Sequence, residues 1–159
     1  MTKVGNFQFG SAVLCEDIRQ EKSEKLIFVG VFSGEIFVEK LPAEIAIALY
    51  TPGIALAPGT SDVHLRFSGP GEGKAILTIR FATDVERAPL NLIVPRLSVQ
   101  MECEGIFRID VSADKRHWKS LVKRTVGVKA GLWSIVPSIA PLPPSEQSPP
   151  AAPDSSSQP

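Results

Sequence analysis

The chain has 159 residues, of which 43% are hydrophobic and 21% charged, and its 17 bases balance its 17 acids. These proportions suit one globular domain and argue against a wholly disordered, fibrous or membrane-embedded class. Zero net charge gives no global argument for nucleic acid or an anionic membrane, so any charged contact is expected to be local.

The first ten residues lack the apolar core of a secretion signal, and no stretch approaches the roughly 18 uninterrupted apolar residues of a membrane span. Cys15 and Cys103 are far apart and outside any CxxC or Cys/His spacing, which reads as free thiols in a reducing compartment. The expected compartment is cytoplasmic.

In chain order, residues 11–16 read as a strand, and residues 17–25, polar on every side, as a loop. Residues 26–32 form a β-branched and aromatic run in which Gly30 signals a bulge or a close backbone approach. Alternation of Ile45, Ile47 and Leu49 predicts a strand over 43–50, closed by Thr51-Pro52-Gly53. Val63, Leu65 and Phe67 then alternate with His64 and Arg66. After a Gly/Pro turn at 68–73, Leu77, Ile79 and Phe81 do the same with Thr78 and Arg80, giving a hairpin.

A three-stranded meander is expected next, over 97–103, 107–111 and 117–126, with turns at 104–105 and 112–116. In its last strand Trp118, Val122 and Val126 are expected to face inward, although Arg124 shares their parity. About eight strands without βα alternation predict an antiparallel β-sandwich over residues 1–133. Residues 134–159, rich in Pro, Ser and Ala, are expected to be a disordered tail, with 141–144 able to adopt polyproline II.

Few residues suggest chemistry. Cys15 stands beside Glu16 and Asp17, whose charges raise a thiol pKa rather than lower it, so a core cysteine is expected there. Cys103 continues the apolar face of Leu97, Val99 and Met101 and is read in the same way. His64 and His117 are expected to be exposed, and no nucleophile-elbow pattern accompanies them. Asp62, Asp84, Asp110 and Asp114 are read as turn formers rather than calcium ligands. The glycine stretches at 69–73 and 51–60 lack a phosphate-loop pattern and are both read as turns. No catalytic residue, metal or cofactor is expected.

Residues 115–129 hold Lys115, Arg116, Lys119, Lys123, Arg124 and Lys129 without an acid. Such a run guards a terminal edge strand against aggregation. In an alternative reading, Trp118, Lys119, Lys123 and Arg124 bind nucleic acid through phosphate contacts and stacking.

Residues 13–21, VLCEDIRQE, followed by KLIFVGVF at 25–32, resemble a family of small uncharacterised bacterial and phage proteins, a domain of unknown function. Chains of that family lead from an apolar-Cys/Ala-Glu-x-Ile-Arg-x-Glu segment into a GVY-like strand; Phe32 stands here where Tyr is usual. The likeness is clearest over 9–38, with an echo at 105–111, and implies a fold and a compartment but no catalytic or binding residue. Independently of that likeness, strong strand patterning without a coherent catalytic constellation points to a non-enzymatic interaction module for an unknown protein partner, with Glu16, Asp17 and Arg19 as the binding group. A small metal-dependent or hydrolytic enzyme is the remaining alternative.

Overall fold

The computed structural model describes residues 1–71 and 73–129. The tail expected at 134–159 lies outside them. Eleven strands and no helix occur among the described residues: β1 (Thr2–Val4), β2 (Phe7–Phe9), β3 (Val13–Gln20), β4 (Leu26–Val31), β5 (Ile36–Val38), β6 (Ala43–Ala55), β7 (Gly59–Ser68), β8 (Lys74–Thr83), β9 (Ala88–Met101), β10 (Gly105–Ser112) and β11 (Lys119–Val128). Sheet A runs β1-β2-β6-β3-β4 with β9 also on β6, and sheet B runs β5-β11-β10-β7-β8. Every pairing is antiparallel except β5 with β11.

Period-two patterning makes this sandwich. Val63, Leu65 and Phe67 of β7 and Phe107, Ile109 and Val111 of β10 project from sheet B. Phe7, Phe9, Leu14, Ile47, Leu49, Leu92 and Val94 project from sheet A into the same buried cluster. Phe7 and Phe81 join the sheets directly, with ring centroids 5.5 Å apart. Burial of such side chains contributes about 1.5–3 kcal/mol each and drives the two layers together.

Several expectations need correction. β1, β2 and β5, three residues each, are too short to show alternation and raise the strand number above eight. The expected loop at 17–25 is strand as far as Gln20, because residues 17–20 pair with β4 rather than covering a core. β6 does not stop at Thr51-Pro52-Gly53: Phe7, Gln8 and Phe9 pair with it on one side and β9 on the other, which carries it to Ala55. Residues 51–60 are therefore largely strand.

The last three strands are not a meander either, since β9 pairs with β6 in sheet A while β10 and β11 lie in sheet B. The chain crosses between sheets after Met101, which leaves Cys103 in the crossing turn and exposed. β11 is flanked by β10 and β5 rather than forming a terminal edge. β5 reaches only Val126–Val128, however, so residues 119–125 lack a strand partner on that side.

Two bulges reset side-chain direction. On β9, Pro95 and Arg96 stand opposite the single residue Ala48, so inward parity passes from Leu92 and Val94 to Leu97 and Val99. On β11, Leu121 is the extra residue between Ser120, opposite Asp110, and Val122, opposite Ile109. That shift separates Trp118 from the inward set of Val122 and Val126: Trp118 is half-buried beneath the Arg66 guanidinium instead of lying in the core.

Candidate functional site

The ladder between β3 and β6 consists of Val13–Tyr50, Leu14–Leu49 and Cys15–Ala48, and goes no further. Past that point β3 stays with β4 as far as Gln20–Leu26, while β6 stays with β9 as far as Ala43–Met101. Sheet A thus forks, and the fork opens a cleft of about 440 Å³. Glu16, Asp17 and Arg19 of β3 line one limb and Glu44, Ile45 and Ala46 of β6 the other, with Arg96 from β9. Val29, Phe32, Ile36 and Phe37 supply apolar lining.

The three residues expected as a binding group therefore share one cleft. Arg19 Nε donates to Asp17 Oδ2 at 2.9 Å. That hydrogen bond, followed by the charges of Arg19 and Arg96, holds the Asp17 carboxyl below the usual carboxylate range against a partial desolvation that opposes it. Glu16 crosses Gly30, which has φ +62°, and a Cβ on Gly30 would lie 2.5 Å from the Glu16 carboxyl carbon. The close backbone approach expected at Gly30 is thus to the Glu16 side chain.

Glu44 and Arg96 belong to the same cleft although the sequence did not single them out. Arg96 follows a proline inside an apolar strand pattern, a combination that signals a bulge, and here the bulge brings a guanidinium to the fork. Glu44 had no comparable signal; its Oε2 accepts from Gln100 Nε2 across β6 and β9 at 3.3 Å.

Cys15 is buried. Its thiol donates to the Asp17 carbonyl, and burial, aided by the charges of Asp17 and Glu16, pushes its pKa up. A thiol kept protonated in this way is a poor nucleophile.

His64 is buried rather than exposed, because Thr78 on β8 and Ser112 on β10 flank it directly, and its Nδ1 lies 2.9 Å from Thr78 Oγ1. Asp110 is likewise no turn residue: it sits in β10, buried, and accepts from Arg66 Nη2 at 2.7 Å. Asp62 pairs across strands with Arg80.

Asp114 does organise a turn. It accepts from the N–H groups of His117 and Arg116 at 2.8 Å each, from Ser112 Oγ at 2.9 Å, and pairs with His117 Nδ1 at 2.6 Å. These interactions, led by the His117 N–H, hold the Asp114 carboxyl far below its usual range. Ser112, Asp114 and His117 resemble a hydrolase set in composition only: the hydroxyl donates to the carboxylate, not to the imidazole, so no base is placed to activate it.

The basic segment disperses. Lys119 Nζ donates to the Lys3 carbonyl at 2.7 Å, Lys123 pairs with Arg108 on the outer face of sheet B, and Arg124 is opposite Phe107 of the core face. Trp118, Lys119, Lys123 and Arg124 do not form one surface. No group of His, Cys, Asp and Glu able to hold a metal occurs among the described residues, and no helix among them is long and apolar enough to cross a membrane.

Fold and cleft together define an all-strand sandwich of two sheets with one sheet forked. No family model matches the sequence, and no curated protein matches it. Among solved structures, the chain is similar to a β-glucosidase from Erythrobacter marinus at 8% identity and a TM-score of 0.39, over 76% of this chain and 15% of that one. The chain thus spans a small part of that protein's length, and a likeness this slight carries no argument about activity.

Proposed function

We propose that this chain is a non-enzymatic interaction module, acting in the cytoplasm, that holds a segment of a protein partner in the forked cleft. The observation that carries the reading is the cleft's composition: Glu16, Asp17 and Glu44 with Arg19 and Arg96, set around Val29, Phe32, Ile36 and Ile45. Carboxylates and guanidiniums over an apolar lining complement an extended segment that bears both charge signs and an apolar side chain.

Native mass spectrometry of the full chain, purified gently from its own host, tests the proposal. A stoichiometric protein adduct is expected, and Asp17→Ala with Arg19→Ala is expected to abolish it while circular dichroism stays unchanged. An adduct that survives the double substitution in a folded chain would overturn the reading.

A further inference from the structure

The outer face of sheet B carries an order that the linear sequence hides. Strand register places Lys74, Ser68, Arg108 and Lys123 in one row across β8, β7, β10 and β11. With strands about 4.8 Å apart, the row spans roughly 15 Å. The neighbouring row is Ile76, Arg66, Asp110 and Ser120. Lys74, Arg108 and Lys123 form no ion pair among the described residues, and the acid between them, Asp110, is already engaged by Arg66. A chain of zero net charge therefore has one face where cations prevail.

Arg66 is held unlike a solvated surface base. Its Nη2 donates to Asp110 at 2.7 Å, its guanidinium carbon lies 4.4 Å from the Trp118 ring centre, and its Nε is buried without a hydrogen-bond partner. Carboxylate and indole fix the guanidinium in one orientation, so little further entropy is lost when it binds. Arg66, Ser68, Lys74, Ile106, Arg108 and Asp110 line a hollow of about 250 Å³.

The geometry points to a phosphate site in this hollow, formed by Arg66, Lys74, Arg108 and Ser68 and extended along the row by Lys123. Phosphate presents several acceptor oxygens to which planar guanidinium groups and an ammonium donate charge-assisted hydrogen bonds. Exposed Ile76 and Ile106 flank the cations and reduce their hydration. The same chemistry serves a free phosphate or the phosphodiesters of a single-stranded nucleic acid. Of the basic segment 115–129, Lys123 alone joins the row, so this site differs from the one its base run suggested.

Nuclear magnetic resonance titration of the full chain with inorganic phosphate, and separately with a short mixed-sequence single-stranded oligodeoxynucleotide, tests the site. Amide shifts at Ser68 and Arg108 are expected with phosphate. Phosphate binding alone identifies a small ligand. Tighter oligonucleotide binding identifies a polynucleotide, with a log–log salt slope of about −2 for three neutralised phosphates.

Lys74→Gln with Arg108→Gln replaces two exposed side chains and leaves the Arg66–Asp110 pair intact, so the fold is retained. The double variant is expected to weaken binding at least about tenfold and to cut the slope to about −0.7. Lys22→Gln with Lys25→Gln, at a distant turn, is expected to change neither. The inference is overturned if neither ligand shifts these amides, or if the two pairs of substitutions weaken binding equally.

Discussion

Arg66 and Asp110 face each other across β7 and β10 with a 2.7 Å contact, and the Asp110 side chain keeps 7% of its exposure while that of Arg66 keeps 29%. Removing the base strands a buried charge. Arg66→Met is expected to destabilise the fold by about 1–3 kcal/mol, whereas Asp110→Asn, which keeps an acceptor for Arg66, costs less. Urea denaturation of the two variants checks the order; equal losses would mean that the pair is already open to water.

Gly30 gives the cleft a second test. Its backbone is left-handed and the Glu16 carboxyl carbon lies 2.5 Å from where a Cβ would stand, which leaves no room for a side chain. Gly30→Ala is expected to cost about 1–2 kcal/mol from backbone conformation alone, and to displace Glu16 as well. Gly34, with nothing within 4 Å of its Cβ position, is the control, and Gly34→Ala is expected to stay within about 0.5 kcal/mol of the parent. Thermal melts of the two proteins distinguish these outcomes.

The two cysteines should react at different rates. Cys103 is exposed, while Cys15 is buried with its thiol pKa pushed up. A thiol-specific dye at neutral pH is expected to label one site in the folded chain and two in denaturant, and Cys103→Ser to abolish the folded-state signal. Fast labelling of folded Cys103→Ser would show that β3 opens away from β6.

Acid should weaken the turn that Asp114 organises. Its carboxyl is held far below the usual range, so the folded state binds this proton more weakly than the unfolded state does. The stabilisation is complete above the unfolded carboxylate value of about 3.9 and is lost as pH falls through that value toward the folded one. Asp114→Ala is expected to be less stable at neutral pH and to show a flatter acid limb. Parallel urea curves from pH 7 down to the acid transition check the sign, and an unchanged acid limb would remove Asp114 as its source.

Strands with one wet face and one packed face were legible in the sequence, as Val63-His64-Leu65-Arg66-Phe67 shows, because alternation is a local consequence of the pleat. The short strands β1, β2 and β5 were not, since three residues hold too little alternation to distinguish from a turn. His64 shows a different limit: its outward parity was correct, but burial on an outer face depends on Thr78 and Ser112 arriving from other strands. Glu16, Asp17 and Arg19 were recognisable as a polar group within a distinctive segment, whereas Glu44 and Arg96 joined them only when sheet A forked.

The sequence by itself determined the neutral overall charge, an all-strand architecture, the main hairpin and the inward apolar residues of β7, β8 and β10, the last three of which follow from side-chain chemistry at spacings of one or two residues. Tertiary structure alone decided which strands share a sheet, where β3 leaves β6, and that Lys74, Arg108 and Lys123 stand in one row. Those features depend on register between segments far apart in the chain, where a single bulge reverses the face that every following side chain presents.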